Sequence, residues 1–161
     1  MTHNVLAGLA AGAAGTTALD AVSYLDMVLR ARPPSSTPED TVRRLEEALP
    51  LRLYPDGRDS EAASNRRQGL GALLGIAAGL AVGAGYGLVR PRLGRLPLAV
   101  LGTGAGLAAN IGTTGPMVAM GVTDPRSWPV SSWLSDLLPH LAYGFATAAV
   151  FELTCHARRS A

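Results

Sequence analysis

Apolar residues along this chain are gathered into four long stretches that are separated by polar breaks. The stretches run approximately over residues 5–29, 69–89, 96–122 and 133–155. Each has the length of a membrane-spanning helix, which needs about 20 mainly apolar residues. The main polar insert, residues 30–68, holds most of the charged side chains. The pattern predicts an all-α fold: a four-transmembrane-helix bundle that forms a single integral membrane domain over residues 1–161.

The polar insert contains one segment with helical periodicity. Residues 37–40 combine a threonine cap, a proline and two acids, which is typical of the first turn of a helix. We predict a short amphipathic helix here, in the first inter-helix loop, lying on the membrane surface. Residues 54–67 show no period and are predicted to be loop. The apolar and charged residues of the predicted helix fall on opposite sides: Val42, Leu45 and Leu49 against Arg43, Arg44, Glu46 and Glu47.

Glycine recurs every four residues through the second apolar stretch. Four residues are just over one helical turn, so the glycines form a stripe along one side of the helix. Each interior glycine costs a helix in water roughly 1 kcal/mol relative to alanine, whereas in lipid small residues let a neighbouring helix approach closely. The first and third stretches carry shorter glycine series. We predict that these residues pack helices backbone to backbone: Gly71, Gly75, Gly79, Gly83, Gly87, Gly8, Gly12, Gly102 and Gly106.

Polar residues inside the apolar stretches are the candidate functional residues, because such groups are costly within a membrane. Counted by helical rise, those of three different helices converge on one half of the bundle. Pro139 also removes a backbone hydrogen bond to Ser135 and favours a kink there. We interpret the group either as a proton-relay, ion or solute site, or as hydrogen bonding that fixes helix register. The predicted polar intramembrane cluster consists of Asp20, Asn110, Asp136, His140 and Tyr143.

Two other acids lie near the ends of apolar stretches. Asp26 is one turn from Arg30, and Glu152 is close to His156 and Arg158. Pairing and snorkelling suffice at such positions, so both acids are predicted to be interfacial anchors.

The remaining composition argues against several other functions. The net charge is only +2, and no basic patch with interleaved aromatics indicates nucleic-acid binding. A single cysteine, Cys155, excludes an internal disulfide. The chain has neither a nucleotide loop nor a nucleophile elbow, and its carboxylates and histidine lack the spacing of a metal site. We therefore predict a non-enzymatic protein with no cofactor and no metal.

One segment, residues 121–144, has a recognisable order of residues. It contains Thr123-Asp124-Pro125-Arg126-Ser127-Trp128, followed by Asp136, Pro139-His140 and Tyr143-Gly144. This order, with the layout of four spans and a polar insert after the first, resembles a family of uncharacterised bacterial inner-membrane proteins, the YagU type. The resemblance implies a bacterial inner-membrane location. It supplies no activity and no functional residue.

These features together predict a small multi-pass protein of the bacterial plasma membrane. Its expected partners are the lipid bilayer and either further copies of itself or another membrane protein, bound through the glycine seams. The alternative is a minimal transporter or channel for protons, ions or a small solute that uses the polar cluster. The N-terminus has no basic region, which favours a span over a cleaved signal peptide. Arginines near span ends are equally numerous on both sides, so the positive-inside rule leaves the orientation open.

Overall fold

The computed structural model describes residues 1–49 and 60–157, and this part of the chain is all-helical. Short 3-10 turns follow α3 at Arg90–Arg92 and precede α5 at Pro125–Ser127. The predicted all-α class, with a short helix after the first long one, is confirmed for the described residues. The α-helices within them are α1 Thr2–Arg30, α2 Thr37–Ala48, α3 Glu61–Val89, α4 Leu98–Ala119 and α5 Val130–Ala157.

The four long helices pack side by side, with α1 and α5 at the centre. α1 lies between α3 and α5, and α5 in turn packs against α4. Contact between α3 and α4 is less extensive, and the short α2 packs against α3. α4 is therefore held in the bundle mainly by α5.

Small residues fill the interfaces between these helices, whereas many large apolar side chains lie outside. Helices that meet through small residues approach closely, so their backbones are in direct contact and large side chains do not interlock between them. The buried apolar residues include Ala7, Ala11, Ala105, Ala109 and Ala148, with Tyr143 and Phe151 among the few large ones. Exposed large residues occur on every long helix, for example Leu25, Leu73, Ile111 and Leu138.

Two helices of the described ranges are long and apolar enough to cross a membrane: α1, and α3 together with the turn that follows it, Glu61–Arg92. α4 and α5 are also long, but polar residues lower their mean hydropathy. These are Asn110 in α4, and Asp136 and His140 in α5. By length and composition, both of these candidate spanning helices lie in the α1–α3 half of the bundle.

The start of α3 differs from the sequence prediction. The helix begins at Glu61, so the prediction of loop as far as Arg67 is wrong for residues 61–67. Ser60 provides the local reason, because its hydroxyl accepts a hydrogen bond from the Ala63 amide at 3.2 Å and caps the helix. The earlier part of the predicted loop, residues 54–59, lies outside the described residues.

α4 is shorter than the third apolar stretch. Pro97 precedes its first helical residue, and the helix ends at Ala119 rather than near residue 122. Gly121 follows with a left-handed φ of 68°, a conformation that favours glycine and turns the chain away from the helix axis.

α2 is docked on α3 through a buried ion pair. The Arg67 guanidinium donates to a Glu46 carboxylate oxygen at 3.1 and 3.2 Å, and both side chains are more than nine-tenths buried. The prediction that Glu46 lies on the outward side of α2 is therefore wrong. Its partner belongs to the early turns of α3, which the periodicity did not reveal. Pro38 of α2 also lies over Gly71, where a Cβ would come within 2.8 Å of the proline ring.

Candidate functional site: a polar cluster between α4 and α5

Backbone contact between α4 and α5 holds the candidate site in place. Gly144 of α5 lies so close to α4 that a Cβ added to it would be 2.6 Å from the Gly106 Cα. A Cβ at Gly106 would likewise lie 2.6 Å from the His140 carbonyl oxygen. Gly102, one turn before Gly106, continues the same seam. At the other end of the seam, the glycines are followed by polar side chains: Asn110 lies one turn after Gly106 on α4, and His140 lies one turn before Gly144 on α5.

Asn110, Asp136 and His140 form one connected group across this seam. The Asn110 side-chain amide donates a hydrogen bond to Asp136 Oδ2. His140 Nδ1 lies 2.7 Å from the Asp136 backbone carbonyl oxygen and 3.6 Å from Asp136 Oδ1. Thr113 of α4 completes the group, with its hydroxyl 3.2 Å from His140 Nε2. The His140 side chain is 13% exposed and that of Asp136 23%, so the group is shielded yet reachable from one side.

The hydrogen-bond pattern accommodates both charge states of His140. A carbonyl oxygen can only accept, so the 2.7 Å contact between Nδ1 and the Asp136 carbonyl oxygen favours the tautomer with a proton on Nδ1, although the Asn110 amide nitrogen also lies 3.3 Å from Nδ1. When His140 is neutral, Nε2 accepts a hydrogen bond from the Thr113 hydroxyl. When His140 is protonated, Nε2–H donates to Thr113, whose own hydrogen turns to the Ala109 carbonyl oxygen 3.0 Å away. Gain or loss of the proton therefore requires the rotation of one hydroxyl.

The cluster opens into a groove between α4, α5 and the loop that joins them. The groove has a volume of about 250 Å³. Because ligand pockets usually measure about 300–1,000 Å³, this one suits a small solute. Asn110 and Asp136 contribute polar groups to the lining of the groove. The rest of the wall is largely apolar and is formed by Ile111, Thr114, Val118, Pro125, Trp128 and Trp133.

The two tryptophans form a fixed aromatic corner of the groove. The rings of Trp128 and Trp133 meet edge to face with their centroids 5.2 Å apart. The Trp128 indole N–H donates to the Thr123 hydroxyl at 2.8 Å, which holds its ring in place. Trp133 stands three residues before Asp136, so the indole and the carboxylate share one face of α5.

Two residues of the predicted cluster lie elsewhere. The Tyr143 side chain is buried where α1, α3 and α5 meet, and its hydroxyl donates to the Gly79 carbonyl at 2.6 Å. Asp20, on α1, is joined to none of Asn110, Asp136 and His140 by a hydrogen bond or ion pair within the described residues. The prediction grouped residues by their depth along the helices. Depth does not say which neighbour a side chain faces.

A second glycine seam joins α1 to α3. A Cβ at Gly83 would lie 2.5 Å from the Gly12 Cα and 2.8 Å from its nitrogen. Gly8 lies against Gly83 and Gly87 in the same manner, because a Cβ at Gly8 would be 3.1 Å from the Gly87 Cα. Glycine on both helices therefore brings the two backbones into direct contact.

The other glycines of the α3 stripe have different surroundings. Gly79 faces the Thr16 hydroxyl of α1, and Gly71 faces Pro38 of α2. Gly75 has no atom within 4 Å of an added Cβ, so it takes no part in packing within the described chain. The glycine stripe of α3 thus packs against α2 at Gly71 and against α1 from Gly79 onward, and it has no neighbour at Gly75 between them.

The acids near the helix ends pair with arginines. Asp26 contacts Arg30 at 3.0 Å and Arg32 at 2.5 Å, and it also accepts a hydrogen bond from Ser135 of α5 at 3.0 Å. Glu152 contacts Arg90 at the end of α3 at 2.5 Å. These pairs tie α1 to α5 and α3 to α5. Arg158, a predicted neighbour of Glu152, lies outside the described residues.

The sequence did not predict the groove, its aromatic corner or the contact of Thr113 with His140, although Thr113 belongs to the polar residues at that depth of α4. The spacing of Trp133 and Asp136 was the available signal for the groove, and Thr113 stands three residues after Asn110 on the same side of α4. No set of three or more His, Cys, Asp or Glu side chains placed to hold a metal ion occurs in residues 1–49 and 60–157. Comparison of the chain with protein-family models, curated proteins and solved structures found no match, so the YagU-type resemblance stays a prediction from residue order.

Proposed function

We propose that this chain is a non-enzymatic, multi-pass protein of the bacterial plasma membrane that passes a proton or a small cation through the Asn110–Asp136–His140 cluster. The observation that carries the proposal is the carboxylate–imidazole pair of Asp136 and His140 beside an open groove. Ionisable groups are costly within a membrane, and where they occur they mark ion and proton pathways. This pair can take up and release a proton by rotating one hydroxyl.

In this proposal α1, α3, α4 and α5 are four membrane spans. α5 packs along α1, and α4 packs along α5, so a bilayer that surrounds α1 and α3 also surrounds the other two. Large apolar side chains face outward on both α4 and α5, including Val100 and Leu107 on α4 and Leu138 on α5. The polar residues that lower the hydropathy of α4 and α5 face each other rather than the surroundings.

The predicted oligomerisation through glycine seams has less support from the packing. Gly8, Gly12, Gly83 and Gly87 contact each other within one chain, so their surface is already used. Gly102, Gly106 and Gly144 are likewise used between α4 and α5. Gly75 is open, but a single small residue does not define an interface. Ion handling at the cluster is therefore the function that the geometry favours.

Flux through reconstituted vesicles tests this function. Purified protein is placed in liposomes that carry an imposed pH gradient or an imposed cation gradient, and it should dissipate the gradient. An internal pH dye follows protons, and an internal cation-sensitive dye follows the cation. His140→Gln and Asp136→Asn keep size and hydrogen bonding but remove charge, and both should reduce the flux to that of empty vesicles. Glu47→Gln, which removes one carboxylate from an exposed pair with Arg44 on α2, should leave the flux unchanged. Equal flux in wild type and both cluster variants would refute the proposal.

Cysteine labelling tests the four spans separately. In a Cys155→Ser background, single cysteines at Glu47, Arg92 and Arg126 should react with an impermeant reagent from defined sides. Four spans place Glu47 and Arg126 on one side of the membrane and Arg92 on the other. Labelling of Arg92 and Arg126 from the same side would show that α4 does not cross, whatever the flux result.

A further inference from the structure

We propose that the α4–α5 groove binds alkylammonium ions, and that a proton on His140 opposes their binding. The inference rests on the proposed function in one respect: it takes Asp136 as the group that binds the cation and His140 as the group that takes up the proton. It goes further in naming the class of ligand and the sign of its coupling to protons.

The wall of the groove matches an alkylammonium ion in both of its properties. Trp128 and Trp133 offer aromatic surface, and the face of an indole attracts a cation through its negative quadrupole. Their edge-to-face contact and the hydrogen bond to Thr123 hold the corner in position before a ligand arrives. Ile111 and Val118 add apolar surface for the alkyl groups. A methylated ammonium combines a positive charge with apolar methyl groups and so matches both kinds of surface, whereas a bare metal ion has no alkyl groups to place against Ile111 and Val118.

Asp136 supplies the opposite charge. Within the described residues its carboxylate has one hydrogen-bond donor, the Asn110 amide on Oδ2, and Oδ1 accepts no hydrogen bond but lies 3.6 Å from His140 Nδ1. The described residues that line the groove include no arginine or histidine. An ammonium ion there would meet one carboxylate and no competing cation along the wall.

Other charged groups near this part of α5 are already paired. Asp26, Arg30 and Arg32 of α1 interact with each other and with Ser135, on the α1 side of the helix. From α4 the cluster receives only neutral partners, Asn110 and Thr113. His140, with Nδ1 3.6 Å from Asp136 Oδ1, is therefore the ionisable side chain of the described residues that lies directly beside this carboxylate.

Protonation of His140 and binding of a cation each neutralise the negative charge of the same carboxylate, Asp136. With His140 neutral, the Asp136–His140 pair carries one negative charge, and an ammonium ion neutralises it. With His140 protonated, the imidazolium nitrogen 3.6 Å from Asp136 Oδ1 already does so. The bound ion and the proton therefore exclude each other, which is the coupling that an exchanger of protons for organic cations requires.

Tryptophan fluorescence reports on this groove alone, because the chain has only two tryptophans and both line it. The test is a titration of the full chain in detergent with choline, and separately with 3,3-dimethylbutan-1-ol, its uncharged analogue of the same shape. Choline should change the fluorescence with saturation, and the alcohol should not. An equal response to both would show simple apolar partition and overturn the inference.

Variants identify the groups responsible. Asp136→Asn should weaken choline binding about tenfold or more, and Trp133→Leu, read out through Trp128, should weaken it about two- to fivefold. Glu47→Gln removes an equal charge from the surface of α2 and should leave binding unchanged. Unchanged binding in Asp136→Asn, with circular dichroism showing a folded chain, would overturn the inference.

The pH dependence tests the coupling. If a proton on His140 opposes binding, wild-type affinity for choline should be higher at about pH 8 than at about pH 5, since histidine side chains in general change charge between these values. His140→Gln should bind with an affinity independent of pH over that range. A parallel rise in His140→Gln would assign the proton to another group and overturn the coupling. Proton flux without choline binding would leave the proposed function intact and refute only this inference. Choline binding without flux would support this inference and refute the proposed function.

The ammonium group can come from a free solute or from a lipid headgroup, and the bilayer composition separates the two. The titration is repeated in nanodiscs of phosphatidylglycerol alone and with added phosphatidylethanolamine, whose headgroup carries an ammonium. Competition by the ethanolamine lipid assigns the groove to headgroups. Unaltered choline affinity assigns it to a free solute. A groove that binds choline in neither bilayer refutes the site.

Discussion

The α1–α3 and α4–α5 interfaces begin alike and end differently. In both, glycine on each helix lets the backbones touch, at Gly83 against Gly12 and at Gly144 against Gly106. The α1–α3 seam stays apolar except at Thr16, whose hydroxyl lies against Gly79. The α4–α5 seam changes within one turn to Asn110 and His140 and then opens as a groove. The comparison indicates that glycine contact fixes the spacing of both helix pairs, whereas the side chains beyond it decide whether the pair is sealed or accessible.

The largest effect is expected from filling the sealed seam. Gly83→Leu places a side chain where even a Cβ would lie 2.5 Å from the Gly12 Cα, so α1 and α3 must separate. We expect a loss of about 3 kcal/mol in the free energy of unfolding, measured by denaturant titration in mixed micelles. Gly75→Leu, on the same stripe but with no atom within 4 Å of its Cβ, should lose far less. Equal losses would mean that the α3 stripe does not pack as described.

The α4–α5 seam should respond to a smaller change in a different way. Gly144→Ala forces the Gly106 backbone away and should cost about 2 kcal/mol of unfolding free energy. Because Asn110 and His140 lie one turn from this contact, ion flux should also fall. Gly104→Ala on α4 has open space at its Cβ and should change neither quantity. Lost stability with normal flux would separate the glycine contact from the polar site.

The helices could be predicted from sequence where apolar runs are long, and the interfaces only where spacing carries information. Asn110, Asp136 and His140 could be grouped because two of them share a face of α5 and the third lies at the same depth. Their contact with Thr113 and the groove depends on the rotation of α4 about its own axis. A sequence rich in alanine and glycine around the whole helix does not specify that rotation.

In the polar insert the sequence predicted the local structure of α2 but not a long-range contact. The first turn of α2 could be predicted because capping residues act locally. The burial of Glu46 could not, because it depends on Arg67, 21 positions later in the chain. A charged residue is ordinarily assigned to the solvent side of an amphipathic helix, and only a long-range partner reverses that assignment. The same reason explains why Tyr143 was placed in the polar cluster rather than against Gly79.

Tyr143 sharpens the boundary between the two interfaces. Tyr143→Phe removes the hydroxyl that donates to the Gly79 carbonyl at 2.6 Å but keeps the ring that fills the space between α1, α3 and α5. We expect a loss of about 1 kcal/mol in unfolding free energy and no change in ion flux or in its pH dependence. A normal stability with lost flux would return Tyr143 to the cluster in which the sequence pattern had placed it.

The smallest effect is expected at Asp20, and it tests whether depth alone assigns a function. Asp20 and Asp136 are both acids inside long helices, yet only Asp136 has a hydrogen bond to Asn110 and a histidine 3.6 Å away. Asp20→Asn keeps the size of the side chain and its hydrogen-bonding capacity, so the unfolding free energy should change by no more than about 0.5 kcal/mol. Flux and choline binding should match the wild type, whereas Asp136→Asn loses both in the same preparation. If Asp20→Asn alone abolishes flux, then α1 contributes to the proposed pathway, and the α1–α3 half of the bundle does not act separately from the α4–α5 half.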